Sequence, residues 1–100
     1  MKLYAIRRYG NWKDGQELES AASRSARVGN EEMPHRVRWI RSYVVREEDG
    51  RFGTFCIYQG ADAAAIREHA RRSGMQADEV VEIEQTVIVR DDPTEKDEAA

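Results

Sequence analysis

Two histidines, one cysteine and a pair of nearby glutamates are the side chains of this 100-residue chain with the widest chemical reach. Cys56 is placed to act as a soft ligand for nickel or copper, or as a nucleophile if Arg41 depresses its pKa; its commoner role is that of a small buried hydrophobe. His69 can ligate a metal or shuttle a proton, with Ser42 near it across a helix–sheet gap, or make one structural hydrogen bond from a half-buried position. His35 follows Pro34, is expected to be exposed, and falls far from His69. Glu82 and Glu84 share one face of a strand. They can serve as an acid–base pair or as hard ligands, but they also balance Arg8 and Arg41, and the ion-pair reading needs no ligand. His-Glu-x-x-His and Cys-x-x-Cys are both missing, which excludes a closed structural zinc site of those types. Glycine-rich phosphate loops and a Ser-His-Asp order are missing too.

The elements that must position these residues follow from local signals. Residues 2–9 read as a strand ended by Gly10-Asn11. Asp14 and Glu17 have capping-box spacing, and Leu18, Ala21, Ala22, Ser25 and Val28 make one helical stripe whose small residues let the helix lie close to a sheet. Pro34 limits its continuation. Residues 35–47 and 52–59 read as a hairpin around Asp49-Gly50. Asp62 caps a second helix with Ile66, His69, Ala70 and Ser73 on one side and Gly74 at its C′ position. Residues 79–89 read as a last strand. The order β-α-β-β-α-β predicts an α+β, ferredoxin-like domain over residues 1–90, with a four-stranded antiparallel sheet and two helices on one face. The acidic residues 91–100 are expected to be a disordered tail.

A turn at Asp49-Gly50 places Val44 opposite Phe55, Tyr43 opposite Cys56 and Ser42 opposite Ile57. Ile40, Ser42, Val44, Phe55 and Ile57 are then assigned to the underside of the helices. Trp39, Arg41, Tyr43, Val45, Thr54, Cys56 and Tyr58 are assigned to the other face, joined by Tyr4, Ile6, Arg8, Glu82 and Glu84. So aromatic and polar a face needs cover, and a second copy of the same sheet in a two-fold dimer is the simplest cover. A ligand pocket there would use Tyr4, Arg8, Trp39, Arg41, Tyr43, Cys56, Tyr58 and Glu82; a metal would draw on His69 and Cys56. Trp12 is placed to lap over a pocket mouth.

The net charge of -3 with interleaved Arg, Glu and Asp excludes a dedicated nucleic-acid binder. No long apolar run or signal-peptide pattern occurs and the lone cysteine has no disulfide partner, so no membrane association and a cytoplasmic setting are expected.

Residues 37–44, 55–58 and 66–80 also carry a family likeness, most specifically where the second helix ends in Gly74 and Ala77-Asp78-Glu79-Val80 follows. Over residues 3–87 the chain resembles the small bacterial domain-of-unknown-function family 4242, whose described member is nickel-responsive and nickel-binding. The resemblance implies a dimeric ferredoxin-like α/β barrel and nickel as the bound ion. It also implies histidines near the end of the first strand, where this chain has Arg7, Arg8 and Tyr9; arginine is always protonated and ligates no metal. The function expected from the family is small-ligand or nickel binding. The alternative is a cofactor-free oxygenase or isomerase of the same fold, holding a planar anionic substrate on Trp39, Arg41, Tyr43 and Tyr58.

Overall fold

The computed structural model describes residues 1–93. Along the chain run β1 (Lys2–Trp12), α1 (Gly15–Arg27), β2 (Val37–Arg46), β3 (Phe52–Gly60), α2 (Ala63–Arg72) and β4 (Glu79–Ile83), with one π-helical turn, Val28–Glu32, extending α1. The strands form a single antiparallel sheet in the order β2-β3-β1-β4. This is the expected α+β ferredoxin-like arrangement. Among the described residues no helix is long and apolar enough to cross a membrane.

Local chemistry sets the helix ends. The Asp14 carboxylate accepts from the Glu17 amide at 2.9 Å, and Glu17 accepts from the Lys13 amide at 2.9 Å, so two otherwise orphaned donors are satisfied. Asp62 does the same for the Ala65 amide at 2.7 Å. Val28, Met33, Ile66 and Ala65 from the helical layer close over Tyr4, Ile6, Cys56 and Tyr58 of the sheet, and this is the core.

The hairpin register differs from the expected one by a single residue. The loop holds three residues: the Glu47 amide donates to the Arg51 carbonyl at 2.8 Å, and the Gly50 amide donates to the Glu47 carbonyl at 3.0 Å. Gly50 sits at φ 89°, the left-handed position that closes a three-residue loop and that other residues adopt only with strain. Loops of two or four residues would pair Ser42 with Ile57. This odd loop pairs Ser42 with Cys56, Tyr43 with Phe55 and Val44 with Thr54. A slip of one residue exchanges the two faces of a strand. Ser42 and Val44 keep their expected side; Phe55 and Ile57 go to the open face, and Thr54, Cys56 and Tyr58 go under the helices.

β1 follows β3. Tyr4 pairs with Tyr58, Ile6 with Cys56 and Arg8 with Thr54, so Tyr4, Ile6 and Arg8 are buried under the helices and not on the open face. Glu82, opposite Tyr4, changes side with them. A bulge between Trp39 and Arg41 adds the last correction: Trp39 pairs with Tyr58 on the helix side while Arg41 and Tyr43 stay on the other.

The last strand ends at Ile83, short of the expected Val89. Ile83 already pairs with Leu3 and β1 starts at Lys2, so the ladder has no further partner to offer. Val87, Ile88 and Val89 are left 78%, 70% and 83% exposed. Within the expected tail, Asp92 accepts a hydrogen bond from the Tyr43 hydroxyl at 2.7 Å; residues 94–100 lie outside the described residues.

Gly53 makes room on the open face for an ion pair. Arg7 donates to Glu47 at 2.8 Å, and its guanidinium lies 4.1 Å from the Tyr9 ring centre and 4.4 Å from that of Phe55. A Cβ at Gly53 would collide with the Glu47 carboxylate, the Arg8 carbonyl oxygen and the Arg7 guanidinium. Gly53→Ala is therefore expected to lose about 1–3 kcal/mol in urea unfolding, the usual penalty of overpacking; an unchanged midpoint and slope would refute the close approach.

Candidate functional site

Paired residues share a face, so the helix side of the sheet can be read in rows. Glu82, Tyr4, Tyr58 and Trp39 form one row, Val80, Ile6, Cys56 and Ser42 the next, and Arg8, Thr54 and Val44 a third. Over β2 and β3 these rows are roofed by α1. Its inward residues, Ala21, Ala22 and Ser25, are too small to reach the sheet everywhere. A cavity of ≈ 390 Å³ remains, bounded by Leu18, Ala22 and Ser25 above, Ser42, Thr54, Cys56 and Arg8 below, and Trp12, Trp39 and Met75 at the sides. Trp12 reaches it because β1 bulges between Arg8 and Trp12, in keeping with its expected place at a pocket mouth.

Cys56 is the hub of the polar floor. The Trp39 indole N–H donates to Ser42 Oγ at 2.8 Å, Ser42 donates to Cys56 Sγ at 3.0 Å, and the thiol lies 3.4 Å from Thr54 Oγ1, its acceptor. Arg8 Nη1 also donates to Cys56 Sγ, at 3.3 Å. Donors run one way along this chain, which leaves the thiol proton engaged on Thr54. The arginine beside Cys56 is thus Arg8 and not Arg41.

Behind the floor, the Tyr58 hydroxyl and Ser25 Oγ are 2.8 Å apart, and His69 Nε2 lies 3.0 Å from the Ser25 carbonyl oxygen. An Nε2–H donor satisfies that carbonyl and ties α2 to α1. Nδ1 is then an unprotonated ring nitrogen, buried without a partner. Burial pushes the Tyr58 phenol up to about 12, with the Ser25 hydrogen bond and the Arg8 charge pulling the other way. Burial is also the main cause that lowers the His69 pKa, opposed by its bond to Ser25 and helped by Arg8. Both side chains are neutral near pH 7.

The expected site residues therefore divide. Arg8, Trp39, Cys56 and Tyr58 converge on the cavity. Tyr4 is packed in the core beside them. Glu82 shares the face but sits on the edge strand farthest from β2, paired with Lys2 at 3.3 Å. Arg41 and Tyr43 belong to the opposite face, where Asp92 stands 4.0 Å from Arg41. No single surface holds Trp39, Arg41, Tyr43 and Tyr58, so the planar-substrate face expected of an enzyme is not formed. The expected pairing of Arg8 with a glutamate of the last strand is not formed either. Ser25, Thr54, Leu18 and Met75 were not among the expected site residues, although Ser25 and Leu18 stand on the apolar stripe of α1.

The proposed metal donors do not fit a metal. Cys56 Sγ faces a guanidinium, which repels a divalent cation, and His69 is turned toward the Ser25 carbonyl away from the cavity lining. Among the described residues no three His, Cys, Asp or Glu side chains are grouped to hold an ion.

Comparison with known proteins places this geometry in context. A family model described as nickel-responsive protein SCO4226-like matches residues 4–83. The crystal structure of SCO4226 from Streptomyces coelicolor A3(2) superposes with a TM-score of 0.69 at 19% identity, covering 85% of this chain and 99% of that one. The two share the fold. No curated protein matches the chain.

Burial of neutral His69 has a signed consequence. Its folded-state pKa lies below the ordinary imidazole value, so the unfolded chain takes up the proton first as pH falls. The stabilisation is full above about pH 6.5 and is lost as pH drops through the depressed folded value. His69→Gln is expected to melt lower than wild type at neutral pH but to show a flatter decline toward pH about 5. Parallel melting curves for the two proteins across that range would contradict the assignment.

Proposed function

This chain belongs to the SCO4226-like family of nickel-responsive proteins, and on that footing we propose that it is a small-ligand-binding protein whose ligand enters the cavity between α1 and the sheet. The cavity carries the reading. At ≈ 390 Å³ it lies within the usual size range of small-molecule sites, with mostly apolar walls and a few convergent polar groups. Trp12 and Trp39 frame it, so occupancy has a built-in optical reporter. Nickel is not assigned to this cavity, because a guanidinium and a thiol already bonded to it make a poor cation site. The occupant this reading favours is organic.

Uptake of the neutral solvatochromic dye Prodan tests the pocket. Wild type should bind it with a blue-shifted emission, and Ala22→Trp, which fills the cavity from the helix side, should not. Equimolar nickel chloride should leave uptake unchanged. Equal dye binding by both proteins would defeat the reading.

We also propose a homodimer through the open face of the sheet. The supporting observation is a set of apolar side chains with no helix over them: Tyr43, Phe55 and Val81 are 41%, 48% and 57% exposed, and the Val87, Ile88 and Val89 run is more exposed still. Burying such a patch is favourable, and an isologous pair buries it twice. Sedimentation equilibrium should give a dimer that Phe55→Glu converts to monomer with little change in far-UV dichroism. A monomeric wild type at micromolar concentration would exclude it.

A further inference from the structure

We infer that the hydrogen-bond acceptor missing from Arg8 is the acidic group of the ligand, so that the cavity is built for a small organic carboxylate with an apolar body. The inference rests on the pocket reading above. Arg8 is 1% exposed, lies beneath α1 and lines the cavity. Its guanidinium is permanently charged and carries five N–H donors. Among the described residues one acceptor serves it, the weakly accepting Cys56 Sγ at 3.3 Å, and its Nε has none. No described carboxylate forms an ion pair with it. Glu82 is engaged by Lys2 and Glu47 by Arg7, and Glu19, at the rim of the same cavity, is solvent-exposed and unpaired with it.

An uncompensated buried charge forfeits a large share of a small domain's total stability. A sequence that places one in its core, beside an open cavity, is supplied with the counter-charge from outside. The fork geometry of guanidinium takes the two oxygens of a carboxylate side by side. Arg8 is the one cation among the described residues lining the cavity. Glu19, the one anion of the lining, stands at the exposed rim, so a monoanion matches the single buried charge, whereas a doubly charged phosphate exceeds it. Trp12, Leu18, Val44 and Met75 supply the apolar wall for the rest of the molecule, and Trp39, stacked on Tyr58 with ring centres 6.0 Å apart, supplies a flat one.

The test pairs 1-naphthoate with 1-naphthamide, its neutral isostere, on the full chain. Naphthoate should quench tryptophan emission and raise the melting temperature of wild type, with naphthamide at least about tenfold weaker. Arg8→Met should abolish that preference and, without ligand, melt no lower than wild type. Inorganic phosphate should not displace naphthoate at equal concentration. If acid and amide bind wild type equally, or if naphthoate fails to bind a chain that admits Prodan, the inference is overturned and the pocket stands. Exclusion of Prodan together with both naphthalenes removes the pocket reading first. Should Arg8→Met not fold, the acid–amide comparison on wild type decides alone.

Discussion

The parity of the β2–β3 loop governs what this fold buries. With three residues between Glu47 and Arg51, Cys56 is carried to Ser42 and the even-numbered residues of β3 pass beneath the helices. Because β1 is hydrogen-bonded to β3 and β4 to β1, the choice propagates across the sheet, and Tyr4, Ile6, Arg8 and Val80 are committed with it. One residue more or fewer in the loop would exchange this set for Leu3, Ala5, Arg7, Phe55 and Ile57. The bulge in β2 then acts as a local exception that brings Trp39 to the side chosen by the loop, while the irregularity in β1 adds two residues, keeps Trp12 on the side of Arg8 and sets it opposite Phe52. A polar and aromatic interior, with an aliphatic and aromatic exterior, is the result.

That inversion marks where the sequence is legible. Features decided within one turn of chain are readable: the caps at Asp14 and Asp62, Gly74 after α2, the inward stripe Ile66, His69 and Ala70, and the β-α-β-β-α-β order. The face of each strand is not decided locally. Asp-Gly signals a turn without stating whether it contains two, three or four residues, and the face depends on odd or even. Bulges are equally silent, since Trp39-Ile40-Arg41 reads as an ordinary strand. Chemistry was legible by residue type and not by position: Arg8, Trp39, Cys56 and Tyr58 do meet, but inside one subunit and without Arg41 and Tyr43.

Electrostatics inside the helix–sheet layer reduces to one permanent charge. Tyr58 and His69 are both kept neutral by burial. For His69 the positive guanidinium of Arg8 acts in the same direction; for Tyr58 it opposes burial and loses. The hydroxyls of Ser25, Ser42 and Thr54 are occupied with one another's neighbours. What the buried floor of the cavity offers an incoming molecule is therefore a positive centre among neutral groups, with Glu19 the one acidic side chain at its exposed rim. Such a centre repels metal cations, which separates the family's link with nickel from this cavity as a matter of charge as well as of the absence, among the described residues, of a ligand cluster.

The position of the cavity follows from the two helices being unequal. Where α2 meets the sheet, Ile66 and His69 project far enough to fill the space, and the contact is closed by Gly60, whose missing Cβ lets Ile66 approach the strand. Where α1 meets it, Ala21, Ala22 and Ser25 project little, and the sheet must send up Tyr58, Arg8 and Trp39 to meet them. Tyr58 succeeds, reaching Ser25. The shorter Ser42, Thr54 and Cys56 do not, and Arg8 bends onto the thiol instead of crossing the gap. Small residues on a core-facing helix are ordinarily a means of close packing. Here they stand over a row of small polar residues on the strands, so that neither layer can fill the space between them. A helix of the same length with leucine at position 22 or 25 would fill much of that space and pack better. The sequence forgoes that gain where it also keeps a buried, uncompensated cation.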